Sequence, residues 1–130
     1  MDTDQVSFSK EPNRQAVNIA MTIWGNRISP VFDSASTLMI AHVEGSKITQ
    51  REIKSFDPKV SSQITSILNE YNVDALICGA ITDVYSKPIE QSGVKLISFI
   101  SGNADKVLGS YINTPGRILD FLMPGAMPQA

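Results

Sequence analysis

The stretch that decides the fold is Val73-Asp74-Ala75-Leu76-Ile77-Cys78-Gly79-Ala80-Ile81. Its four consecutive apolar residues, Ala75 to Cys78, show no polar alternation, which is typical of a parallel strand covered on both faces. Gly79 then allows another segment to come close to the backbone. Because ligands of open α/β sheets bind beyond the carboxyl ends of the strands, Cys78 lies where chemistry could take place.

Length and composition indicate one compact domain. The chain has 130 residues, of which 42% are hydrophobic, and this suits a single core and leaves no room for two domains. Polar, aperiodic sequence at the start predicts a disordered lead-in at residues 1–15, before a domain at residues 16–114. Pro and Gly near the end predict that residues 115–130 form a flexible tail with a short amphipathic segment.

Charge and cysteine content exclude several classes of function. The net charge is -2 and the basic residues are scattered, so neither nucleic acid nor an anionic membrane is expected as a partner. No apolar run is long enough to span a membrane, and the start does not look like a signal peptide, so we expect a cytoplasmic protein. One Cys and one His cannot make an internal disulfide or a four-ligand zinc site.

Five strands and three helices are predicted. The strand-like segments are residues 17–23, 38–43, 48–56, 73–81 and 94–100. Helical spacing of apolar residues predicts one helix that begins at Asp57-Pro58, a second that Thr82 caps, and a third after Asn103.

The connections order these strands. A short polar turn with Gly45 makes strands two and three an antiparallel hairpin, whereas helical crossovers after strands three and four are right-handed. With strand one beside strand four, the fold class is α/β: a three-layer α/β/α domain with a five-stranded mixed sheet, order 3-2-1-4-5, strand two antiparallel. The loop at residues 24–33 then meets residues 78–81 at one end of the sheet.

Three segments carry a resemblance to a known family. They are Ile28-Ser29-Pro30-Val31-Phe32-Asp33-Ser34-Ala35, Leu76-Ile77-Cys78-Gly79-Ala80-Ile81, and residues 98–102 before the last helix. With them the chain resembles, over residues 17–112, the dinitrogenase iron-molybdenum cofactor biosynthesis family. The resemblance implies a ribonuclease H-like fold, and a carrier that moves iron-sulfur or iron-molybdenum cluster precursors between assembly proteins in nitrogen fixation.

The chain departs from that family at two positions. Nitrogen-fixation members commonly have His and Gly where this chain has Val31 and Asp33. Since such clusters need soft thiolate or imidazole ligands, Cys78 is left as the metal ligand that the resemblance implies. A bound cluster would then also need a second chain, an exogenous thiol or the Asp33 carboxylate.

We therefore predict a non-catalytic protein that binds an iron-sulfur or iron-molybdenum type cluster in a cleft between the loop at residues 24–33 and Cys78-Gly79. The alternative is a regulatory or interaction module that binds a small anionic ligand through Arg27, or a protein partner, in the same cleft. Cluster-assembly proteins and a second copy of the chain, as a homodimer, are the expected partners. The predicted binding residues are Trp24, Arg27, Ser29, Phe32, Asp33, Cys78, Gly79, Ala80 and Gly102.

Structural roles for the same residues stay open from the sequence. Cys78 could be a small buried hydrophobic residue, Trp24 and Phe32 could pack over the sheet end, and Asp33 could belong to a turn. A solvated or hydrogen-bonded role is expected for His42. No enzyme is expected, because the first strand lacks carboxylates for a two-metal nuclease and His42 has no evident route to Cys78 as a base.

Overall fold

A mixed sheet runs through the middle of the domain. The computed structural model describes residues 16–125, so the predicted lead-in at residues 1–15 and the last part of the predicted tail lie outside the described residues. The strands are β1 (Ala16–Trp24), β2 (Arg27–Ile28), β3 (Thr37–Glu44), β4 (Lys47–Ser55), β5 (Ala75–Ile77) and β6 (Lys95–Ile97). The helices are α1 (Ser61–Glu70), α2 (Asp83–Gln91) and α3 (Ala104–Asn113), with 3-10 helices at Phe32–Ser34 and Pro115–Phe121.

The strand order is β4-β3-β1-β5-β6, and the short β2 pairs with β1 outside this path. β3 is antiparallel to β1 and β4, whereas β5 is parallel to β1 and β6. The predicted fold class and the predicted order of the five strands are confirmed. The two-residue β2 was not predicted; it forms because Gly25-Asn26 turns the chain back onto the end of β1.

Helices cover both faces of the sheet. On one face α1 and α2 pack against Leu76 and Cys78, and on the other face α3 and the second 3-10 helix pack against Ile77. β5 therefore contacts apolar side chains on both sides, which explains why its sequence shows no alternation. The buried helical side chains are Ile64, Leu68 and Ile89 on the first face, and Ala104, Val107, Leu108 and Ile118 on the second.

Local sequence explains most helix boundaries. Asn103 caps α3, because its side-chain oxygen accepts a hydrogen bond from Lys106 N at 3.0 Å. The first helix begins at Ser61 rather than at the predicted Asp57, whose carboxylate instead accepts from Lys59 N at 3.0 Å and forms a turn. None of the described helices is long and apolar enough to cross a membrane.

The segment after α3 is folded, which corrects the predicted flexible tail for residues 115–123. Ile118 is buried in the 3-10 helix, and Ser101 N donates to Phe121 O at 2.8 Å. Leu122 forms an antiparallel bridge with Ile100. The prediction differs from the structure here because Pro and Gly indicated an irregular chain. Apolar residues such as Ile118 instead pack into the hydrophobic core.

Candidate functional site

A seam joins the loop after β2 to the turn after β5, and it consists of residues 29–32 and 79–80. Ala80 N donates to Pro30 O at 2.9 Å, and Ala80 O accepts from Phe32 N at 2.7 Å. These bonds make a parallel bridge between Val31 and Ala80, beyond the end of β5. The space expected for a ligand between the two segments is therefore taken by backbone pairing.

Gly79 has no side chain because the opposite loop leaves no room for one. A Cβ at this position would lie 2.4 Å from both Ser29 O and Pro30 O, closer than van der Waals contact allows. The close approach that the sequence indicated is real, but it is made by the protein's own backbone.

Cys78 lies directly beneath the seam and is fully buried, in a cluster with Phe32 and Leu76. Burial, and secondarily the negative charge of Asp33, raises the pKa of the Cys78 thiol to about 12. Because the thiolate is the form that binds metals, a thiol that keeps its proton at neutral pH is a poor ligand. In this conformation Cys78 is a small apolar core residue, and its role as a metal ligand stays a prediction.

Thr22 places an unusual polar atom beside Cys78. The register pairs Met21 with Ile77, so that Thr22 and Cys78, one residue further, come next to each other on the same face. Thr22 is fully buried, and its Oγ1 has no hydrogen-bond partner among residues 16–125. An unpaired buried hydroxyl costs about 1–3 kcal/mol. The sequence indicates this residue as a polar side chain between apolar neighbours, Met21 and Ile23, in a mostly apolar strand.

An open groove, which we call the Trp24 groove, lies between the end of β1, the following loop and the start of β3. Its volume is about 580 Å³. The Trp24 side chain is 70% exposed and Val31 is 41% exposed. Of the residues that the structure describes, none of those lining the groove is charged. The aromatic, hydroxyl-bearing and exposed apolar residues that line the groove include Trp24, Ser29, Val31, Ser34, Ser36 and Thr37. Sequence reasoning missed the last three, although small hydroxyl residues at positions 34, 36 and 37 were visible.

Backbone pairing connects Arg27 and Gly102 to this region. Arg27 is the cross-strand partner of Trp24, so the two side chains leave the ladder on the same face. Gly102 O accepts a hydrogen bond from Ile28 N at 2.9 Å, which ties the loop before α3 to β2. Of the predicted binding residues, Trp24 and Ser29 thus line the groove, Arg27 neighbours it, and Gly102 supports it.

The remaining predicted residues belong to the interior or to the start of α2. Phe32 is fully buried, with its ring centroid 5.7 Å from Phe56 and 6.2 Å from Tyr85. The Asp33 carboxylate accepts a long hydrogen bond of 3.4 Å from Thr82 N. The 3-10 turn that contains both residues therefore points Phe32 into the core and ties Asp33 to α2.

The sequence model of the dinitrogenase iron-molybdenum cofactor family matches residues 14–114. The chain belongs to this family. The resemblance predicted from the three segments around the seam is thereby confirmed. No curated protein matches the chain.

Solved structures with the same fold include two structures of one provisionally named dinitrogenase. The one from Methanococcus jannaschii, solved by NMR, has a TM-score of 0.65 at 19% identity, and the match covers 86% of this chain and 96% of that one. The crystal structure from Methanocaldococcus jannaschii has a TM-score of 0.62 at 21% identity, with coverage of 75% and 88%. A provisionally named NifB protein from Thermotoga has a TM-score of 0.59 at 16% identity, with coverage of 87% and 97%. At these identities the likeness concerns the fold.

This member of the iron-molybdenum cofactor family offers no set of ligands for direct coordination of a cluster within residues 16–125. No group of three or more His, Cys, Asp or Glu side chains in that part of the chain could hold a metal ion. His42 lies in β3, where Nδ1 is 2.7 Å from Asn18 Oδ1 and Nε2 is 2.9 Å from Glu52 Oε2. The hydrogen-bonded role expected for His42 is therefore confirmed.

Proposed function

We propose that this chain is a non-catalytic binding protein and that its cargo docks in the Trp24 groove. One observation carries the proposal: the groove is open and presents Trp24 with 70% of its surface exposed, whereas Cys78 and the seam are closed. The groove lies at the carboxyl end of β1, the region where α/β sheets bind ligands. Exposed aromatic surface beside hydroxyl groups suits a ligand with both apolar and polar parts.

The cargo we propose is an iron-sulfur or iron-molybdenum type cluster that keeps small thiolates as its ligands. Family membership supports this class of cargo. A buried Cys78 with a pKa near 12 favours ligands supplied from outside over coordination by the chain. Thiolate-capped clusters are anionic, so the guanidinium of Arg27 would attract them at the rim. Cluster-assembly proteins are then the donors and acceptors that such a carrier requires.

Anaerobic titration with a synthetic [4Fe–4S] cluster capped by small thiolates tests this function. Trp24 is the only tryptophan of the chain, so a cluster in the groove should quench nearly all tryptophan fluorescence. The cluster's visible absorption should elute with the protein on gel filtration. Arg27→Ala should weaken binding, and Cys78→Ala should leave it unchanged.

Two outcomes would contradict parts of this proposal. Loss of the cluster in Cys78→Ala, with Arg27→Ala unaffected, would show that the thiolate coordinates and that the seam must open. Absence of both quenching and co-elution in the wild-type protein would exclude the cluster as cargo.

A module for a small anionic ligand is the second candidate, and the position of Arg27 beside Trp24 favours it. It predicts that nucleotides or carboxylate metabolites raise the melting temperature of the wild-type protein and not that of Arg27→Ala. Flat melting temperatures across such a panel would count against this candidate without affecting the cluster titration.

A further inference from the structure

The two edge strands of the sheet differ in how well they are protected. β4 has nine residues and carries Lys47, Arg51, Glu52 and Lys54 along its length. Charged side chains of this kind discourage another strand from pairing with an edge. β6 has three residues, and Lys95 is the only charged one. The β6 edge therefore lacks the row of charged side chains that β4 has, and its short length is what limits strand pairing there.

Within the described part of the chain, the outer edge of β6 has no strand paired with it. Lys95 N donates to Asp74 O at 3.1 Å, and Ile97 O accepts from Cys78 N at 3.0 Å, so these residues pair toward β5. Since alternate residues of a strand direct their backbone groups to opposite edges, Leu96 and Ser98 direct theirs outward. Within residues 16–125, β5 is the only strand that pairs with β6.

A second groove, which we call the β6 slot, runs along this edge with a volume of about 450 Å³. Four consecutive residues, 95–98, line it. Neighbouring side chains of a strand point to opposite faces, so a groove lined by consecutive residues follows the backbone edge and not one face. The other wall comes from α3 and the second 3-10 helix.

The wall of the β6 slot that lies opposite the strand is apolar. Ile118, Leu119 and Leu122 line it, and Leu119 keeps 48% of its surface exposed. An open strand edge next to apolar side chains is the combination that binds an extended peptide: the edge supplies main-chain hydrogen bonds and the wall supplies contacts for side chains.

The direction of a neighbouring segment and the charge of Lys95 indicate what kind of peptide the β6 slot binds. The bridge between Leu122 and Ile100 is antiparallel, and Met123 N donates to Phe99 O at 2.8 Å, so the chain already places an antiparallel segment where β6 ends. A peptide that continues this direction has its carboxyl end at Lys95. Among residues 16–125, Lys95 is the only charged residue that lines the β6 slot, and it is complementary to an acidic group there.

We propose that the β6 slot binds an extended segment of a partner protein, antiparallel to β6, with apolar side chains and an acidic residue or a free carboxylate at Lys95. The segment pairs with the backbone of Leu96 and Ser98 and rests against Leu119. This site is separate from the Trp24 groove and does not depend on the cargo proposed for that groove.

A labelled peptide tests the proposal on the full chain. The probe is fluorescein-Ser-Val-Thr-Val-Glu with a free carboxyl terminus, followed by fluorescence anisotropy and by amide chemical shifts. Binding should shift the amides of Leu96 and Ser98. The same peptide with Val, Thr, Val and Glu all N-methylated lacks these four main-chain donors and should not bind.

Charge reversal provides the matched variant. Lys95→Glu should lower the affinity for the acidic peptide about tenfold, because an attraction becomes a repulsion. The same variant should raise the affinity for an amidated peptide that ends in lysine. Lys47→Glu, on the other edge strand, should change neither affinity. Leu119→Asp, at an exposed position, should abolish binding while the melting curve stays close to that of the wild type.

Three results would overturn the proposal. They are no anisotropy change up to about 1 mM protein, equal binding of the N-methylated peptide, and shifts confined to residues around Trp24. A dimer that Leu119→Asp converts to a monomer would mean that a second copy of the chain, and not a partner's peptide, occupies the β6 slot.

Discussion

The seam and the Trp24 groove are made by the same loop and have opposite properties. At the seam, residues 29–32 pair with residues 79–80, and Cys78 beneath them is fully buried. A few residues away, at the end of β1, the Trp24 side chain is exposed. Lying at the carboxyl end of a strand therefore does not make a residue accessible. What decides access is whether another segment of backbone pairs over it.

The largest expected effect concerns Gly79→Ala, which tests the closed side of this comparison. The added Cβ would lie 2.4 Å from two carbonyl oxygens, so the variant should lose about 3 kcal/mol or more of the free energy of unfolding. Gly109→Ala is the matched control, since nothing lies within 4 Å of a Cβ there. In the interior of α3 it should stabilise by about 0.5–1 kcal/mol. Urea unfolding measures both, and a mild effect of Gly79→Ala would mean that the seam opens readily.

Stability at alkaline pH tests whether the Cys78 thiol is buried away from solvent. Burial, followed by the charge of Asp33, raises the pKa of the Cys78 thiol from 9.0 to about 12, so the unfolded state loses its proton first as the pH rises. The contribution of this shifted pKa to the free energy of unfolding is complete below pH 9. It should fall by about 1.4 kcal/mol per pH unit between about pH 9 and 12.

Urea unfolding of wild type and Cys78→Ala, at pH values from 8 to about 10.5, isolates this contribution. The stability difference between the two proteins should shrink as the pH rises. Burial, and secondarily Asp74, also raises the pKa of Tyr111, but Tyr111 is present in both proteins and cancels. A constant difference would mean that solvent reaches the thiol.

A smaller effect of opposite sign is expected for Thr22→Val. Valine has nearly the shape of threonine and lacks the buried hydroxyl that has no partner in the described residues, so the variant should gain about 1 kcal/mol. Thr65→Val is the control, because Thr65 Oγ1 donates to Ser61 O at 3.1 Å, and it should not stabilise. A loss of stability in Thr22→Val would show that the hydroxyl has a partner, such as a bound water.

The smallest effect on stability is expected for Trp24→Ala, on the open side of the comparison. Removal of a side chain that is 70% exposed should change the free energy of unfolding by at most about 0.5 kcal/mol, while cluster co-elution is lost. Val84→Ala, at an equally exposed position on α2, should change neither property. Marked destabilisation by Trp24→Ala would mean that its ring serves the fold and not a ligand.

Much of the fold followed from local sequence. The apolar run at residues 75–78, the hairpin turn at Gly45 and the cap at Asn103 each depend on a few neighbouring residues, and the order of five strands follows from them with the handedness of crossovers. The same reasoning identified the 24–33 loop, Trp24 and Arg27. These features could be predicted because periodicity and turn chemistry are properties of short segments.

Contacts between distant segments decided the rest. Phe99 adopts a φ of 63°, which a bulky residue rarely does, because its N–H donates to Gly79 O at 2.9 Å and its carbonyl accepts from Met123 N at 2.8 Å. No local pattern predicts that clamp, the seam over Cys78 or the folding of residues 115–123 along the sheet. The sequence by itself determined the order of the strands and which residues reach the end of the sheet. The tertiary structure decided which of them are exposed, because exposure depends on backbone pairing between segments some fifty residues apart in the chain.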